Sequence, residues 1–208
     1  MVSCFTPRAI AALVVTVVAA SAFGQDADPH LRLGAAHFRA GRFEEAVVEF
    51  KVARELGSVG ETHWYIAAAL TRAGRHLDAL EAFAKAEEEA PQSADALFLY
   101  YRGVACSEAQ LVVCAAGSFE LAAQSAGPKV AEQARRLATE ASALLAAEPP
   151  HEAIDELLLR AVAAARKGRA RLSATVAREA AELASRRADR WRALEAQKFL
   201  DPRDAGRP

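Results

Sequence analysis

Two cysteines, Cys106 and Cys114, stand eight positions apart and are the residues best placed for covalent chemistry, while Cys4 lies near the start of the chain. Brought face to face in an oxidising compartment they form a disulfide; left apart in a core they stay two buried thiols. His30, His37, His63, His76 and His151 are scattered. Of these, His30 and His37 share a helix face two turns apart, a spacing that makes a poor metal site. No Gly-rich phosphate loop, G-x-S-x-G elbow or paired C-x-x-C occurs. The sequence therefore nominates no catalytic residue, no metal ligand and no cofactor, and the chain reads as a non-enzyme. The acidic run Glu87-Glu88-Glu89 reads as a solvated helix edge. The basic run from Arg166 to Arg171 straddles a turn and reads as exposed charge.

The elements that carry these residues repeat. Leu33-Gly34, Phe38, Gly41-Arg42, Ala46, Phe50 and Ala53 recur thirty-three positions later as Ile66-Ala67, Thr71, Gly74-Arg75, Ala79, Phe83 and Ala86. A third copy keeps Gly103, Ala115, Phe119 and Ala122, with the same sixteen-residue step from small residue to Phe. Each copy reads as a helix hairpin, stopped by Gly41, Gly57, Gly74 and Pro91. The small residues let the two helix backbones approach, and the Phe fills the gap towards the next hairpin. Such units bury an apolar face by stacking on neighbours. In this frame the third turn centres near Gln110, where Gly41 and Gly74 sit. Cys106 lies four residues before it and Cys114 four after, at similar height on facing helices, which brings the two within bonding reach.

The pattern resembles the tetratricopeptide repeat. The resemblance implies an all-α fold, a right-handed α-solenoid of helix hairpins over about 27–59, 60–93 and 94–127, within a unit spanning 25–148. A linking amphipathic helix follows over 128–147, with Val130, Ala134, Leu137, Ala141, Leu144 and Leu145 on one stripe. Pro149-Pro150 breaks it. Residues 151–200 read as a degenerate fourth hairpin, with Ala161, Ser173 and Ala180 at the offsets of Gly34, Ala46 and Ala53, and a capping helix that sets Trp191, Leu194 and Phe199 against it. The tail, 201–208, reads as frayed.

The first 24 residues read as an address. Arg8, an apolar run over 9–23 and the small-x-small site Ala22-Phe23-Gly24 describe a secretory signal peptide. The alternative is an uncleaved N-terminal anchor, the one route to a membrane in this reading. Export to the periplasm or outside the cell follows, a compartment that permits the disulfide. Residues 25–150 hold 18 acids and 12 bases, net −6, and 151–208 hold 9 acids and 13 bases, net +4. The basic tail alternates in sign, so a nucleic-acid partner is not implied. Nothing in the sequence points to a small-molecule substrate.

In proteins the chain resembles, the first helix of each hairpin lines a concave groove for a peptide. Carried over residue by residue, that face is Leu31, Ala35, Phe38 and Arg39; Glu61, Trp64, Ala68, Thr71 and Arg72; and Leu97, Tyr100, Val104 and Ser107. Leu31, Phe38, Arg39, Trp64, Arg72 and Tyr100 form an anchor set of large apolar rings and guanidinium groups. The alternative places Phe38 and Trp64 in the inter-helix core. The resemblance thus implies an adaptor or scaffold binding a protein or peptide ligand in the cell envelope, or else a permanent subunit of an envelope oligomer.

Overall fold

The computed structural model describes residues 28–58, 61–91, 94–146 and 148–200; the leader at 1–24 and the tail at 201–208 lie outside them. Among the described residues ten α-helices follow one another: α1 Pro29–Arg39, α2 Phe43–Glu55, α3 Thr62–Arg72, α4 His76–Glu89, α5 Ala96–Glu108, α6 Val112–Ser125, α7 Pro128–Ala146, α8 His151–Arg166, α9 Ala170–Arg186 and α10 Arg190–Gln197. No strand occurs among these residues. The protein is all-α, and consecutive helices pack against each other from α1 to α7, with α5 contacting both α3 and α4.

The hairpins close in one way. Arg42 N donates to His37 O at 2.9 Å, Arg75 N to Leu70 O at 2.9 Å, Leu111 N to Cys106 O at 2.8 Å and Arg169 N to Ala164 O at 2.9 Å. The residue just before each donor adopts a left-handed backbone: Gly41 at φ 76°, Gly74 at 78°, Gln110 at 61° and Gly168 at 71°. This six-to-one bond around a left-handed residue is the helix stop that satisfies the orphan carbonyls of the first helix. The third turn pays a steric cost at Gln110, since a Cβ is disfavoured there.

The small residues do what their spacing predicts. A Cβ added to Gly34 would lie 2.6 Å from the Phe50 ring, closer than side chains tolerate. Ala46, Phe50 and Ala53, then Ala79, Phe83 and Ala86, then Ala115, Phe119 and Ala122, are all buried. Cys106 and Cys114 are bonded across the third hairpin, with Cα atoms 5.7 Å apart.

Beyond α7 the chain changes course. At Pro149-Pro150 it turns, and α8–α9 fold back so that α9 packs on α4 and α6. The two runs read as solvated charge meet in this seam or beside it. Arg169 reaches Asp78 and the Leu77 carbonyl, both at 2.8 Å. Arg171 pairs with Glu88 at 2.7 Å, Arg102 with Glu87 at 2.7 Å, and His63 with Glu89 at 2.9 Å. Of these pairs, Arg169–Asp78 and Arg171–Glu88 lie across the α9–α4 seam, and Arg171–Glu88 joins the basic run to the acidic one while both side chains stay partly exposed to solvent. The expected cap also differs. Phe199 packs on the core, but Trp191 is 62 % and Leu194 67 % exposed. In α10 it is Ala196, fully buried, that faces the bundle.

Candidate partner-binding site

The six nominated anchors divide into two groups. Trp64 is wholly buried: it stacks on Phe98 at 5.6 Å between ring centres, lies 5.9 Å from Phe83, and its Nε1 donates to Ala90 O at 3.0 Å. Tyr100 is 4 % exposed, packs on Phe119, and burial pushes its phenol up to about 12. These two are core residues, which corrects the groove assignment. The reason is local: α4 ends on a carbonyl, Ala90 O, that an indole N–H satisfies, and Phe98 of α5 supplies the facing ring. Ala35, Ala68 and Thr71 are buried as well. The helix α3 is covered along nearly its whole length.

Arg39 is exposed and Arg72 half-buried, while Leu31 and Phe38 are half-buried against the core edge. Phe38 of α1 meets Phe43 of α2 edge-on at 5.4 Å and Tyr101 of α5 edge-on at 6.0 Å. Arg72 lays its guanidinium 4.8 Å above the Phe43 ring. Burial pushes the Tyr101 phenol up, and the Arg72 charge and hydrogen bond pull it partly back. Arg39 extends into solvent, its Nε donating to Ala35 O at 3.3 Å. Phe43 and Tyr101 were missed by the sequence reading; they flank the nominated positions, on the neighbouring helix and one residue past Tyr100.

Charge is segregated around this cluster. Helices α1 and α3 carry Arg32, Arg39 and Arg72 and no acidic residue, whereas α2 and α4 carry nine acids, from Glu44 to Glu89. Phe38 and Phe43, both half-buried, form an aromatic floor over the buried Tyr101, and with guanidinium groups on one rim they suit an acidic chain with apolar side chains. Among the described residues no three His, Cys, Asp or Glu side chains are grouped so as to hold a metal ion.

No protein-family model, curated protein or solved structure matches this chain.

Proposed function

We propose that the protein is a non-catalytic adaptor, a tetratricopeptide-like right-handed α-solenoid that binds a protein or peptide segment at the Phe38–Phe43–Arg72 cluster, backed by the buried Tyr101 and with Arg39 on its rim. The observation that carries this reading is the cation-over-aromatic cluster on the acid-free side of α1 and α3. The recurring packing of Gly34 on Phe50 and of Gly103 on Phe119 supports the repeat architecture. The bonded Cys106–Cys114 pair fits the oxidising periplasmic or extracellular setting that the leader implies. The partner segment is acidic, because the rim offers two arginines and no carboxylate from α1 or α3.

A photo-crosslinking residue at Arg39, expressed in the native host, tests the proposal. One discrete adduct should form and should fade when Phe43→Ala is added. An adduct pattern indifferent to Phe43→Ala and Arg72→Ala would refute the site. Mass in solution then separates a free adaptor from a permanent subunit: an adaptor runs as a monomer when its partner is absent.

A further inference from the structure

The last helix holds its large apolar side chains away from the bundle. At 100° per residue, Arg190, Trp191, Leu194 and Lys198 fall within one arc of about 100°. Ala196, fully buried, lies opposite the middle of that arc. Arg192 points the other way, held by Asp155 at 2.6 Å and Asp189 at 2.7 Å, while its Cζ stays 5.8 Å from the Trp191 ring centre. The outward face is therefore a Trp and a Leu flanked by Arg190 and by Lys198, whose ammonium also pairs with Glu195 at 2.6 Å. From Arg186 to Lys198 the chain carries five basic and two acidic residues, net +3.

We infer that the outward face of α10 docks on an anionic phospholipid surface. An indole beside an aliphatic side chain, rimmed by Arg and Lys, is the composition that sits at the headgroup boundary, where the ring enters the acyl edge and the cations meet phosphate. The charge argues for lipid over a second copy: two such faces meeting would oppose like charges across the contact. No helix among the described residues is long and apolar enough to cross a membrane, so α10 would lie on the surface rather than span it. The contact uses none of the residues of the aromatic–arginine cluster.

Quenching of Trp191 in the full-length chain tests this, because the signal reports on α10 and not on residues 9–23. Vesicles of brominated phosphatidylcholine alone are compared with equal mixtures of that lipid and phosphatidylglycerol. Quenching should appear with the mixture and vanish in Trp191→Phe, since Trp64 is buried. The doubly reversed variant Arg190→Glu with Lys198→Glu should bind the mixture at least about tenfold more weakly, as each basic residue near the surface contributes strongly. Circular dichroism confirms that these exposed substitutions keep the fold. Equal quenching on both vesicle types, or vesicle binding without Trp191 quenching, overturns the inference. A blue shift of Trp191 emission on concentrating the protein without vesicles overturns it in favour of a second copy.

Discussion

Gly103 faces Phe119 so closely that a Cβ built on the glycine would fall 2.6 Å from two carbons of the ring. The ring is 2 % exposed and has nowhere to retreat. Gly103→Ala should therefore destabilise by about 1–3 kcal/mol, the range for overpacking, which outweighs the helix propensity gained. Gly117, in α6, has nothing within 4 Å of its added Cβ. Gly117→Ala should stabilise by about 0.5–1 kcal/mol. Urea unfolding of the two variants checks the pair: shifts of the same sign would reject the packing argument.

Trp64 is the largest side chain that is fully buried. Trp64→Ala should cost about 3–5 kcal/mol as a cavity and lost apolar contact. The Ala90 carbonyl would also lose its donor, adding about 1 kcal/mol or more. Trp64→Phe keeps most of the ring against Phe98 and should lose much less. Thermal unfolding followed by helicity reads both; a melting temperature unchanged in Trp64→Ala would return this residue to the surface.

Much of the fold was legible because packing between hairpin helices imposes a period. Gly34 and Phe50, Gly41 and Gly74, and the Cys106–Cys114 pair all follow from positions relative to the turn. What was not legible is where surfaces meet across long sequence distances. Trp64 and Arg72 sit at nominated groove positions eight residues apart, yet one is core and the other surface, because Phe98 of α5 covers the first. Pro149-Pro150 likewise marked the break in the chain but not the packing of α9 on α4 and α6 beyond it. That packing shows in Arg171 against Glu88, two partly exposed residues 83 positions apart, one from each charge run. Trp191 shows the converse: a tryptophan in a terminal helix reads as a cap, but the small Ala196 takes the inward position.

Gln110 occupies the left-handed position that Gly41, Gly74 and Gly168 fill elsewhere. Gln110→Gly should relieve the Cβ strain, about 1–2 kcal/mol, while raising the entropy of the unfolded chain by part of that. A net gain of about 0.5–1 kcal/mol is expected from the midpoint in urea. A loss would mean that the Gln110 side chain contributes contacts worth more than the strain.

Reduction of Cys106–Cys114 opens a loop of sequence separation 8. On a chain-entropy model the bond stabilises by about 2–3 kcal/mol, so unfolding with and without a reductant should differ by that amount. Thiol labelling of unreduced, unfolded protein should find Cys106 and Cys114 unreactive. In a chain that retains its leader, Cys4 should be the single reactive thiol.

Glu179 joins α9 to the start of α6: its carboxylate accepts from Val113 N at 2.7 Å and from Cys114 N at 2.9 Å. The helix α6 has no side-chain cap of its own, so this carboxylate from a distant helix fills that role. The arrangement is reciprocated, because Leu172 N at the start of α9 donates to Glu81 of α4 at 2.8 Å. Burial holds the Glu179 carboxyl above its ordinary value of 4.5, while the amide bonds and the Arg160 charge pull it back down only in part. Below the ordinary value Glu179 is protonated in both folded and unfolded chains. As pH rises from there to the folded value, the unfolded chain gives up its proton and the folded chain keeps it. Stability from this group is therefore full in acid and falls as pH rises through that window. His63 acts in the opposite sense: burial holds its imidazole below the usual range, so it costs stability as pH falls from 6.5 towards its folded value. The informative quantity is thus the difference between wild type and Glu179→Gln, measured by urea unfolding from pH 4 upwards. The wild type should lose stability relative to the variant as pH rises from about 4.5, and the difference should level off once Glu179 is ionised in both states. Glu179→Ala, which leaves the Val113 and Cys114 amides without this acceptor, should cost about 1–3 kcal/mol. A wild-type-minus-Gln difference flat across the window would show that Glu179 ionises as easily in the seam as in the open chain.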